Sequence, residues 1–172
     1  MTKRRMQLLA LATVVAAVAA AGGAAIRSAG AEDRGTVLRS YNEVPSLSVP
    51  SAFGEFRLRI SDADQTILFA FRWSGLTGPP LFAHIHIGQV GVNGGVSAFL
   101  CGGSTKPVCP QSTSATITGS IGPDDVIGPS GQGVDPGEWG ELVSAIRAGF
   151  AYANIHTSRF PGGEMRGQIQ ID

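Results

Sequence analysis

The sequence predicts an all-β domain built from two packed antiparallel sheets, with one short helix near its C-terminal part. Three observations predict it. Short segments alternate apolar and polar residues with a period of two, which sorts side chains onto the two faces of a strand. The 24 glycines and 10 prolines punctuate these segments and show no triplet period, so they mark turns and exclude collagen. A single stretch, residues 135–149, switches to helical spacing. A run of short strands of this kind buries its apolar faces by packing sheet on sheet.

The elements follow in order. Phe56, Leu58 and Ile60 alternate with Glu55, Arg57 and Arg59, the signature of a half-buried strand. Residues 61–65, Ser-Asp-Ala-Asp-Gln, make a hairpin connection. Residues 67–73 are apolar on both faces until Arg72, which predicts a central strand. Pro79 and Pro80 end it because they donate nothing to a ladder. Residues 81–87, 96–100 and 115–119 are three further strands, the first two separated by a glycine-rich turn. Residues 121–136 are rich in Gly, Pro and Asp and read as irregular surface chain. The helix has Asp135 as cap, Pro136 at its first position and Glu138 three residues after the cap. Trp139, Leu142, Val143 and Ile146 line its apolar face, and Gly149 closes it. Residues 151–155 and 165–171 return to strand periodicity.

The N-terminus reads as an address. Lys3, Arg4 and Arg5 precede an apolar run over residues 8–21, followed by small residues with Ala-x-Ala-like ends at Ala21 and Ala31. That is the pattern of a secretory signal peptide over residues 1–31, with a retained signal anchor as the alternative. The mature domain is then residues 32–172. The full chain is formally neutral, but Lys3, Arg4, Arg5 and Arg27 all lie in the leader, so the mature part is mildly acidic. This argues against nucleic acid, whose binding needs basic clusters. The expected location is secreted or cell-surface, without membrane insertion of the mature domain. Cys101 and Cys109, an even pair flanking a short loop, read as a disulfide in an oxidising compartment.

Several of these segments carry a family pattern. Asn42-Glu43-Val44-Pro45 is followed by Ser51-Ala52-Phe53-Gly54, then Ala83-His84-Ile85-His86 with Gly88, then Asn93-Gly94. The closing block is Tyr152-x-Asn154-x-His156-Thr157 and Pro161-Gly162-Gly163-Glu164-Met165-Arg166-Gly167-Gln168. Together they resemble the CHRD domain, the module named after chordin, over essentially the whole mature chain; Ser51 stands where Thr is usual. The resemblance implies an immunoglobulin-like β-sandwich or barrel. Animal members sit in secreted antagonists of bone morphogenetic proteins, and microbial members are mostly single-domain exported proteins. Growth-factor binding is not carried over to this chain. The resemblance implies an exported structural or protein-binding domain, with an unidentified protein or cell-envelope ligand as partner.

All 3 histidines fall within these motifs. His84 and His86 share one strand face, and Tyr152, Asn154 and His156 share another. If the two strands are neighbours, three imidazoles converge. Neutral imidazoles suit copper, zinc, nickel or iron, and copper or zinc is the expected cofactor of such a site. Glu164 is a candidate fourth ligand or an acceptor for a ring N–H, and Arg166 is expected to pair with Glu164 or another acid. The alternative is a buried polar network of Asn154, His156, Thr157, Glu164 and Arg166 that fixes the turn at Pro161-Gly162-Gly163. No Gly-x-Ser-x-Gly elbow supports a serine hydrolase, so no catalytic residue is assigned, and the three-histidine site leaves open a metal-binding protein or a metalloenzyme. A homo-oligomer is a third reading, and it predicts a large apolar patch.

Overall fold

A computed structural model of the chain describes residues 31–63 and 65–171. The leader expected over residues 1–31 therefore lies outside the described residues apart from the backbone of Ala31, as does Asp64 of the expected hairpin. The strands are β1 (Ala31–Arg39), β2 (Phe53–Ser61), β3 (Thr66–Ser74), β4 (Pro80–Ile87), β5 (Gly95–Cys101), β6 (Ala115–Ile121), β7 (Ala151–Thr157), β8 (Met165–Gln168) and β9 (Gln170–Ile171). Among the described residues there is one α-helix, α1 (Trp139–Arg147), just before β7, and three single-turn 3-10 helices at Ser40–Asn42, Pro123–Asp125 and Ser130–Gln132. Every pairing is antiparallel, in the order β5-β4-β7-β8-β1-β2-β3-β6, with β9 also on β1. The end strands β5 and β6 approach each other. The expected all-β sandwich or barrel thus takes the form of one curled, nearly closed sheet. It is not two sheets without a shared ladder.

The core is the inner face of this curl. Phe56, Leu58 and Ile60 of β2 lie opposite Phe71, Phe69 and Ile67 of β3, and all six are buried. Burying each is worth roughly 1.5–3 kcal/mol against the exposed side chain. Phe56 and Phe71 meet edge to face at 5.9 Å. β3 lies between β2 and β6 as expected of an internal strand, yet it buries one face: Leu68 is 55% exposed.

The helix starts later than its capping residues suggest. Gly137 takes the left-handed conformation, φ +87°, which separates Asp135 and Pro136 from the helical turns. The Glu138 carboxylate still accepts from the Asp135 backbone N–H at 3.1 Å. Trp139, Leu142, Val143 and Ile146 are buried, and the helix lies against β7 and β9. Cys101 and Cys109 form a disulfide across a sequence separation of 8, at the end of β5. The chain-entropy estimate for so short a loop is about 2–3 kcal/mol.

β4 and β7 differ from the rest. Ala83, Ile85 and Ile87 face the core together with Ala151, Ala153 and Ile155. The opposite face would ordinarily be wet. Here all of β7 is buried, and so is β4 from Ala83 to Ile87. Two loops roof that second face. Gly94, Asn93 and Val92 of the β4–β5 turn bond to side chains of β7, β8 and β4, and Pro161 of the β7–β8 turn bonds to His156. The polar faces of β4 and β7 thus become a second interior.

Candidate metal centre

Strand register assembles the site. On the ladder between β4 and β7, Phe82 lies opposite His156, His84 opposite Asn154 and His86 opposite Tyr152. Directly opposed residues share a face, and diagonal neighbours are within reach of long side chains. The His84 ring centroid is 4.5 Å from that of His156 and 4.6 Å from that of His86. Each ring offers one nitrogen, and the three nitrogens lie within 4.8 Å of one another. Three nitrogens on one metal at about 2.0–2.1 Å stand about 3.3–3.6 Å apart, so small ring rotations close the site.

Hydrogen bonding aims two of the rings. His86 Nδ1 is 2.9 Å from the Gly94 carbonyl, and His156 Nδ1 is 2.9 Å from the Pro161 carbonyl. A carbonyl accepts and does not donate, so each Nδ1 carries the proton and each Nε2 keeps its lone pair. Both Nε2 atoms are buried without a partner among the described residues, as is His84 Nδ1. Three buried, unpaired imidazole nitrogens in one cluster are costly unless something uses them.

Aromatic rings wall the cluster. Phe82 stacks on His84 at 5.5 Å, and Phe99 of β5 meets His84 edge-on at 5.2 Å. Tyr152 stacks on His86. All three histidines are depressed in pKa, chiefly by burial. His84 falls to about 2, with the His156 and His86 rings adding to the effect of burial. His86 falls to about 4 by burial, against the Gly94 carbonyl, which favours its charged form. His156 is lowered by burial against the Pro161 carbonyl. The rings are neutral at neutral pH, as ligation requires.

Two carboxylate clusters complete the buried polar layer. Glu164, wholly buried, accepts from the Thr77 N–H at 2.7 Å, the Thr77 hydroxyl at 2.8 Å and the Thr157 hydroxyl at 2.6 Å. Glu164 was a candidate fourth ligand or ring N–H acceptor; the ring N–H groups of His86 and His156 go instead to backbone carbonyls. The acid beside Arg166 is Glu43, at 3.0 Å. Arg166 also donates to Asn93 and to the Val92 carbonyl, and its guanidinium lies 4.4 Å over the Tyr152 ring. Asn154 donates to Glu43 and to the Met165 carbonyl. Burial raises the Glu43 carboxyl above its ordinary value, with Arg166 and Asn154 opposing. Asn154 and Arg166 thus bond to Glu43, and Thr157 bonds to Glu164.

Two glycines make the roof fit. A Cβ at Gly94 would stand 1.6 Å from the Ile87 carbonyl oxygen. Gly163 has φ +124°, and its Cβ would stand 2.7 Å from Asn154 Nδ2.

A family model described as the CHRD domain matches residues 35–169. The chain belongs to the CHRD family. Four of the five motif segments that resemble the family lie in this layer: the Glu43 segment, the paired histidines of β4, the Asn93-Gly94 turn, and the β7–β8 block. No match is found among curated proteins or solved structures. Two participants carry no pattern of their own in the sequence. Thr77 is one polar residue in a turn, and Phe99 is one apolar residue in a strand.

Proposed function

We propose that this CHRD domain is an exported binding module whose three-histidine face holds a transition-metal ion. Its ligands are His84, His86 and His156. The observation that carries this reading is the pair of ring-to-carbonyl hydrogen bonds. They point His86 Nε2 and His156 Nε2 into a buried cluster where the described residues supply them no partner. Orientation of a ligating imidazole through its other nitrogen is the usual arrangement around protein-bound metals. Export is supported by the leader pattern of residues 1–31 and by the disulfide, which belongs to oxidising compartments.

A second reading has its own support. The Glu43 and Glu164 clusters tie together the ends of β7 and β8, the β4–β5 turn and the segments at residues 43 and 77. Such networks specify a fold without chemistry. On that reading the domain is a structural or protein-binding module, and the histidines only pack. Metal analysis of untagged wild-type protein, His86→Ala and His156→Ala separates the two. The metal reading predicts one ion per chain, lost in both variants. Background metal in all three would leave the structural module.

A further inference from the structure

This inference rests on the metal-binding reading and asks which ion the site selects. We propose that it is monovalent copper, held by three neutral imidazoles, in preference to divalent zinc.

The first argument is charge. His84, His86 and His156 bring no negative charge as neutral ligands. The buried carboxylates among the described residues are Glu43 and Glu164. Glu164 is committed to Thr77 and Thr157, and Glu43 to Arg166 and Asn154. Neither carboxylate bonds to a ring of the site, so the ligand set itself carries no charge to offset an ion's; Glu164, bonded only to neutral groups, keeps its charge in the layer outside that set. The cost of moving an ion out of water rises with the square of its charge, so a divalent ion pays about four times the desolvation of a monovalent one. The Arg166 guanidinium lies on Tyr152, whose other neighbour is the His86 ring. With Glu43 that cation forms a pair of no net charge, which gives a divalent ion no compensation.

The second argument is coordination. Zinc in proteins is four-coordinate, and on three histidines it takes a water as its fourth ligand. Three imidazole nitrogens complete a trigonal cuprous site. Besides the other two histidines, the rings beside His84 are those of Phe82 and Phe99, which are apolar: they offer neither a fourth donor nor a hydrogen bond to hold the water that zinc would need. Imidazole suits both metals, so ligand type alone leaves the choice to charge and geometry.

The test uses untagged, metal-stripped wild-type protein incubated under argon with equimolar Cu(I) and Zn(II), then desalted and analysed for both. The expected result is one copper per chain and a copper-to-zinc ratio above about tenfold, a difference of roughly 1.4 kcal/mol or more. X-ray absorption of that sample should show a cuprous edge and three nitrogen neighbours. Zinc retained in place of copper, and lost in His156→Gln, overturns the cuprous assignment while the metal-binding reading stands. Neither metal retained above the His156→Gln level overturns both. Should His156→Gln fail to fold, wild-type absorption decides alone: a cupric edge or fewer than three nitrogen neighbours overturns the assignment.

Discussion

His86 and Tyr152 stack with ring centroids 4.7 Å apart and planes within 2° of parallel. The Tyr152 hydroxyl also accepts the Gly94 N–H at 3.2 Å, while the Gly94 carbonyl takes the His86 ring N–H. One residue therefore holds both the ring and the loop that aims it. Tyr152→Phe keeps the stack and loses the acceptor. It should cost about 1 kcal/mol of stability. Weaker metal retention should follow, read by competition with a chromophoric chelator. Unchanged retention together with unchanged stability would deny the loop its role in aiming His86.

Arg166 is the buried counter-charge of Glu43. Arg166→Met leaves that carboxylate buried without its partner and should cost about 3–5 kcal/mol. Replacing both, with Glu43→Gln added, should recover a substantial part. Urea unfolding of the two single variants and the double variant measures the coupling. Additive losses would show that the pair is not energetically linked.

Glu164 separates the roles of ligand and scaffold. Glu164→Gln exchanges a carboxylate that accepts three hydrogen bonds for an amide with one acceptor oxygen. It should lose about 1–3 kcal/mol of stability. Metal stoichiometry in the folded protein should stay at the wild-type value. A folded Glu164→Gln protein that binds no metal would make Glu164 a ligand.

The metal-free protein should weaken as pH falls. The folded pKa of His86 is about 4 and that of His84 about 2, both below the ordinary 6.5. Between those values the unfolded chain binds protons that the folded chain refuses. Stability is therefore complete above the unfolded pKa and is lost as pH falls toward the folded ones. From about pH 6.5 to about pH 5 each such ring costs roughly 1.6 kcal/mol, in a window above most carboxylate titration. Urea unfolding at the two pH values checks it. A His86→Gln variant should show a shallower decline. An identical decline would place the pH sensitivity elsewhere.

Much of the fold was legible because strands that bury one face alternate. β2 shows this in Phe56, Leu58 and Ile60, and α1 shows its own period in Trp139, Leu142, Val143 and Ile146. β1 was not legible. On the face of Leu38 it carries Thr36 and the buried, ion-paired Arg34, so no apolar stripe announces it. The helix start was misplaced because Asp135, Pro136 and Glu138 are good capping residues, and the left-handed Gly137 between them outweighs their pattern. The juxtaposition of the histidines depended on β4 and β7 being neighbours, which a period of two does not specify; the ladder between the two strands supplies it. The partners did not show, because Glu43 and Thr77 reach the layer from loops. Pairing across 123 residues, as between Glu43 and Arg166, leaves no local spacing to read.

The central claim is that three neutral imidazoles present free nitrogens to one ion, and imidazole-¹⁵N NMR of metal-free and metal-loaded protein tests it most directly. The account predicts that, without metal at neutral pH, His86 and His156 are neutral with the proton on Nδ1. Adding one equivalent of metal should then shift one nitrogen on each of His84, His86 and His156 together, with the Nε2 signals moving for His86 and His156. A proton on Nε2 of His86 or His156, or imidazole signals that do not move when metal is added, would contradict it.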